Sequence, residues 1–193
     1  MPLSLIPDVA LIIRSWQDTS TIKILKLRDF LQTPAVLSDL VKWSTVLEVF
    51  DLQYVYTLAS CGQEQPGVQG LYTESNLQTL QPILELHKHT LRAITLRGLN
   101  KSGLTGFDVR GFSNLRELHL SDRATGRHNM TMNLIDRLLT PNLCVFHWNL
   151  TLEDQEHSEE LGSFAQWEED FLRCFATKAV RKDCPVAYIE SDI

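Results

Sequence analysis

LRAITLRGLNKSGLTGFDVRGFSNLRELHL, residues Leu91 to Leu120, contains one short phrase twice: Leu91-x-x-Ile94-x-Leu96 and Leu115-x-x-Leu118-x-Leu120. The two copies start 24 residues apart. In each, the last two apolar residues alternate with one other residue, as they do along a strand that turns one face to a core. A single strand of this kind cannot bury its apolar face, so neighbouring copies must stack upon it.

The phrase recurs on both sides. Upstream it reads Ile22-x-x-Leu25-x-Leu27 and Leu47-x-x-Phe50-x-Leu52, 25 residues apart, and downstream Leu143-x-x-Phe146-x-Trp148, 28 residues after Leu115. Five copies at spacings of roughly 20–29 residues are the signature of leucine-rich repeats. Helical segments fit between them. Thr33-Pro34 offers a capping residue followed by proline in the first turn, with Val36, Leu37, Leu40, Val41 and Trp43 as the buried side. Leu77, Leu80, Ile83, Leu84 and Leu86 line a second helix, and Pro82 predicts that it starts near Thr79. Met132, Leu134, Ile135, Leu138 and Leu139 supply a third, reached through a polar connection at Gly126–Thr131 and ended by Pro141-Asn142.

Two stretches depart from the rhythm. From Tyr56 to Ser75, Gly62, Pro66, Gly67 and Gly70 stand among polar residues, which predicts an irregular insertion over about 56–75. The 44 residues between Leu47 and Leu91 leave room there for a degenerate copy or for one long loop. After Ser158, Leu161, Phe164, Trp167, Phe171, Phe175 and Ala179 recur at helical spacing to about Arg181. A long helix over about 158–181 is expected to cap the last repeat, with a short strand at Pro185–Ile189 after it. Ahead of the first copy, Pro7-Asp8 opens a short helix to Trp16. The first strand's outer edge is then unpaired, which predicts that the array continues upstream or that a partner covers the edge.

The expected fold is therefore α/β. One leucine-rich-repeat domain spans 1–193 as a right-handed solenoid of the ribonuclease-inhibitor type, with short parallel strands inside and helices outside.

Bulk properties narrow the function. Apolar residues make up 44% and charged residues 22%, ordinary for a soluble globular chain. The net charge of −6 comes without a basic stripe, so no nucleic-acid partner is expected. No run of about 20 apolar residues could span a membrane, and no secretory leader is evident, so the three sequons at Asn100, Asn129 and Asn149 read as chance. Cys61, Cys144, Cys174 and Cys184 show no metal spacing and read as reduced thiols, which points to a cytoplasmic or nuclear protein. The eight acidic residues of Glu153–Asp170 read as the solvated face and first turn of the long helix.

Residues between the core positions of each strand point to the concave face, where such arrays bind. The central column is Lys26, Asp51, Thr95, His119 and His147. Arg28, Gln53, Arg97, Ser121 and Asn149 form the next, with Ile24, Val49, Ala93, Glu117 and Val145 on the other side. His119 and His147 fall on consecutive strands about 5 Å apart, close enough to share a metal or a proton. The pattern supplies no third ligand unless Glu117 or Asp122 turns inward, so neither metal nor cofactor is assigned. His87-Lys88-His89, at a helix end, reads as capping or solvated groups. No serine or cysteine stands in a nucleophile elbow, and the glycines at 98, 103, 106, 111 and 126 match no phosphate-binding loop, so no enzyme is expected.

Four segments carry a resemblance: HKHTLRAITLRG (87–98), FSNLRELHLSD (112–122), LLTPNLCVFHWNLTLEDQ (138–155) and FAQWEEDFLRCFA (164–176). They resemble the C-terminal half of fungal F-box proteins with leucine-rich repeats, well over Leu77–Ile189 and loosely before it. The resemblance implies a substrate receptor of an SCF-type ubiquitin ligase, whose repeats hold the protein to be ubiquitylated. A Skp-type adaptor is implied only where an F-box lies upstream, because Leu5-Ile6-Pro7-Asp8 runs into a repeat strand too soon for that unit. Two other readings stand beside it: a stand-alone repeat scaffold, and a metal-dependent enzyme using His119 and His147.

Overall fold

The structure is a computed structural model that describes residues 20–30, 32–54, 76–99, 106–121, 132–149, 161–186 and 188–192. The expected helix before Trp16, the insertion at 56–75, the connection Gly126–Thr131 and the helix start at Ser158 lie outside these residues. The side chains of 161–168 and 188–192 do too.

Among the described residues ten elements follow in order: β1 (Ile24–Phe30), α1 (Pro34–Lys42), β2 (Val49–Tyr54), α2 (Leu77–Glu85), β3 (Ala93–Arg97), β4 (Glu117–Ser121), α3 (Met132–Leu138), β5 (Val145–Asn149), α4 (Leu161–Arg181) and β6 (Tyr188–Asp192). The six strands form one parallel sheet in sequence order, β1-β2-β3-β4-β5-β6. The chain is α/β, and every strand lies beside its predecessor.

The repeated phrase explains the register. Leu25, Phe50, Ile94, Leu118, Phe146 and Ile189 occupy one row of paired positions, and Leu27, Leu52, Leu96, Leu120, Trp148 and Ser191 the next. β2 pairs directly with β3, Phe50 opposite Ile94 and Leu52 opposite Leu96. No strand of a further copy therefore enters the sheet between them, despite the 44-residue gap.

The junctions repeat atom for atom. The carbonyl of each phrase's second residue accepts two backbone N–H groups from the next phrase. Lys23 receives Glu48 and Val49, Glu48 receives Arg92 and Ala93, Arg92 receives Arg116 and Glu117, and Arg116 receives Cys144 and Val145. At three junctions the carbonyl of the phrase's first residue takes a side-chain donor from the following unit. Ser44 donates to Ile22, Thr90 to Leu47 at 2.8 Å and Thr140 to Leu115 at 3.2 Å. Ahead of β6 the Cys184 thiol lies 3.0 Å from the Thr140 carbonyl and 3.5 Å from the Leu143 carbonyl, so it staples the same strand entrance. Burial raises the pKa of that thiol and keeps it a donor. These staples satisfy carbonyls at strand entrances that the ladder does not reach.

The helices cover one face. Leu37 and Val41 of α1, Leu77, Leu80, Ile83 and Leu84 of α2, and Leu134, Ile135 and Leu138 of α3 join the inward strand residues in one core cluster. α1 starts as its sequence requires, with Thr33 as N-cap and Pro34 in the first turn. α2 corrects the expectation from Pro82. It begins at Leu77, and Pro82 lies inside it, because Asn76 and Thr79 form a reciprocal capping box with bonds of 2.9 and 3.0 Å. Two satisfied donors at the entrance and four buried apolar residues outweigh one proline. Leu86, expected on the buried side, is 51% exposed, since it falls past the last helical residue.

α4 is followed by a short strand, β6, near the position expected for one. It connects β5 to β6, so it stands as the helix of a sixth unit, and the sheet continues one strand beyond it. Phe171 and Phe175 reach the core. Phe175 stacks on Phe146 with ring centroids 4.3 Å apart, and Phe171 meets Trp148 edge-on at 5.0 Å. Lys178 and Lys182 hold Asp136 of α3 at 2.7 and 3.0 Å.

Gly98 shows why a glycine follows β3. Its φ is +74°, and a Cβ there would stand 2.5 Å from the backbone oxygen of Tyr54. The chain passes too close to β2 to admit a side chain.

Candidate functional site

The face opposite the core carries the alternate residue of each strand. Parallel register brings Lys26 beside Asp51, Asp51 beside Thr95, Thr95 beside His119 and His119 beside His147. All five are partly or fully exposed, in contrast to the residues of β2 to β5 in the rows on either side of them, which are buried. The flanking column is likewise in register, from Ile24 through Val49, Ala93 and Glu117 to Val145. At the sixth strand the register adds Tyr188 to that flank and Glu190 next to His147. Counting only full phrases missed these two positions, because Ser191 replaces the second core leucine.

The third column holds together only in part. Gln53 pairs with Arg97, Ser121 with Asn149, and Asn149 with Asp192. Arg28 does not join it. β1 takes one extra residue between Leu27 and Phe30, Asp29 adopts a left-handed φ of 52°, and the ladder resumes with Phe30 opposite Tyr54. The bulge lets Phe30 reach the core, where its ring meets Tyr54 edge-on at 5.5 Å. Arg28 is left exposed beside the bulge. Ser121 is a second correction. Only 2% of it is exposed, and its hydroxyl is buried with no hydrogen-bond partner among the described residues. It cannot meet a partner as the strand alternation implied. The Asn149 side chain lies outside the described residues.

The best-defined group on this face is the histidine pair. The Nδ1 atoms of His119 and His147 are 3.1 Å apart, with ring centroids at 5.1 Å and planes inclined by 67°. Glu117 places a carboxylate oxygen 3.9 Å from Nε2 of His119. Desolvation by burial lowers the pKa of His119, and the neighbouring His147 and Arg97 add to this, while Glu117 and Asp51 oppose it. The balance favours the uncharged form of His119. A short contact between two ring nitrogens requires one N–H and one lone pair, so the pair shares a single proton along that line. Among the described residues no group of three or more His, Cys, Asp or Glu side chains is placed to hold a metal ion.

The other motifs resolve into structure. His87 is buried, and its Nε2 lies 3.1 Å from the carbonyl of Val41 in the last turn of α1, so it caps a neighbouring helix. His89 is exposed. Cys144 and Cys184 are free thiols. Among the described residues no helix is long and apolar enough to cross a membrane.

Comparison of the chain with protein-family models, with curated proteins and with solved structures finds no match.

Proposed function

We propose that this chain is a right-handed leucine-rich-repeat solenoid that recognises a protein partner on the sheet face opposite its helices. One observation carries the reading: Lys26, Asp51, Thr95, His119 and His147 stand side by side in register on that face and keep solvent exposure. Polar side chains mixed with the small apolar flank Val49, Ala93 and Val145 suit a protein surface better than a small-molecule pocket. The likeness of four segments to F-box repeat proteins makes a ubiquitylation substrate the first class of partner.

The immobilised full chain, exposed to a lysate and analysed by mass spectrometry, tests this. A specific partner should be captured by the natural chain and lost with Lys26→Glu, Arg97→Glu or Glu117→Lys. Thermal stability should stay within about 0.5 kcal/mol, as for surface changes remote from packing. Capture that survives all three reversals would move the binding surface elsewhere. Co-recovery of a Skp-type adaptor would favour the ligase role, and capture of the partner without it would favour a stand-alone scaffold.

A further inference from the structure

We propose that His119 and His147 form a two-imidazole chelate for a divalent late-transition-metal ion of the zinc and nickel class. The inference does not depend on the partner-recognition reading. It rests on distance. Metal–nitrogen bonds of about 2.0–2.1 Å put two ligand nitrogens about 2.9 Å apart at a right angle and about 3.4 Å apart at a tetrahedral angle. The Nδ1 atoms stand 3.1 Å apart, between those limits. They are held there by a parallel ladder that pairs the two residues directly, so no backbone movement is needed to close the chelate.

Chemistry selects the nitrogen. Glu117 stands near the far nitrogen of His119, at 3.9 Å from Nε2. The negative charge on that side favours the tautomer with its proton on Nε2 and leaves the Nδ1 lone pair turned to His147. In the metal-free pair, one proton bridges the two Nδ1 atoms. When the ion binds, the bridging proton of His147 moves from Nδ1 to Nε2 by exchange with solvent, so both rings stay neutral and donate their Nδ1 lone pairs. The remaining coordination positions belong to water or to a donor from a bound molecule, because no third ligand residue is placed there among the described residues. Two protein ligands make a micromolar site rather than a structural one. Nickel should bind more tightly than cobalt or manganese to such nitrogen donors.

The test uses the full chain, stripped with a chelator, desalted and titrated calorimetrically with Ni²⁺ and with Zn²⁺ near pH 7.5. One ion per chain is expected, with affinity falling as pH drops through the imidazole range because protons compete for the same lone pairs. His119→Ala and His147→Ala should each weaken binding at least tenfold, while His89→Ala, on an exposed turn, should not change it. If an alanine variant loses its folded circular-dichroism spectrum, His119→Asn and His147→Asn replace it and must show the same loss. Zn²⁺ should also shift the imidazole Nδ1 resonances of these two rings and no others. Absence of one-to-one binding, or binding undiminished in both variants, would overturn the proposal by placing the ion on other histidines or on thiols.

Discussion

Leu118 and Leu25 occupy the same row of the ladder, yet Leu118 is fully buried and Leu25 only half-buried. Leu120 and Leu27, one row on, differ in the same way. Ile24 at the head of β1 is 58% exposed. The phrases are equivalent in sequence, so the difference comes from their neighbours. β4 has β3 and β5 on its flanks, whereas β1 pairs among the described residues with β2 alone. β1 also bends at Asp29 to send Phe30 inward, which recovers one buried aromatic ring for a strand whose leucines stay partly wet. In a stacked array, burial belongs to the stack and not to the strand.

The sharpest way to break this comparison is to truncate the centre. Leu118→Ala should cost about 2–5 kcal/mol, the range for emptying a closed apolar site. Urea denaturation measures it, and a loss under about 1 kcal/mol would mean that the row is not packed as described. Next come the staples between units. Thr140→Val removes a buried donor from the Leu115 carbonyl and should cost about 1–3 kcal/mol, the desolvation cost of an orphaned acceptor. A matching loss for Thr90→Val would show that the junctions are energetically alike.

At the N-terminal end, Leu27→Ala should cost only about 1 kcal/mol, because roughly half the transfer energy of a leucine is at stake there. An equal loss at Leu27 and Leu118 would erase the contrast between edge and centre. The smallest effect belongs to the charge cluster joining α3 and α4. Hydrogen bonds from Lys178 and Lys182 lower the pKa of Asp136, so the folded state holds that proton less tightly than the unfolded one. The contribution is present above about pH 4, the ordinary aspartate range, and disappears as pH falls through the lowered folded value. Asp136→Asn should lower stability slightly across the neutral region, flatten the acid limb of a stability–pH profile and leave the two proteins alike at low pH.

How far the sequence could be read follows the same division. The rows from β2 to β5 were legible because the same phrase, with two apolar positions per strand, recurs in each and allows only one register. The third inward position was not. Phe30 and Tyr54 follow the phrase rather than belong to it, and only the bulge at Asp29 makes them partners. Phe107, Val109 and Phe112 are buried in the segment before β4, where no helical or strand period marks them. Pro82 misled because its local penalty was weighed without the capping box two turns earlier. On the opposite face, alternation placed Thr95, His119 and His147 correctly and failed at Ser121, where the chain leaves the sheet and burial no longer follows parity. The staples were invisible for a different reason. Ser44, Thr90, Thr140 and Cys184 share a donor role but neither a residue type nor a fixed distance from the phrase.

The account stands on strands stacking in sequence order and in the stated register. Paired cysteines test that directly. Asp51 and Thr95 are opposite each other on adjacent strands, about 4.8 Å apart by the spacing of a parallel sheet, within the span of a disulfide. Asp51 and His119 lie two strands apart, at about 10 Å, beyond that span. The double variant Asp51→Cys with Thr95→Cys should oxidise to a 51–95 disulfide seen by peptide mapping, and Asp51→Cys with His119→Cys should form none. A 51–119 disulfide without a 51–95 one would contradict the ladder.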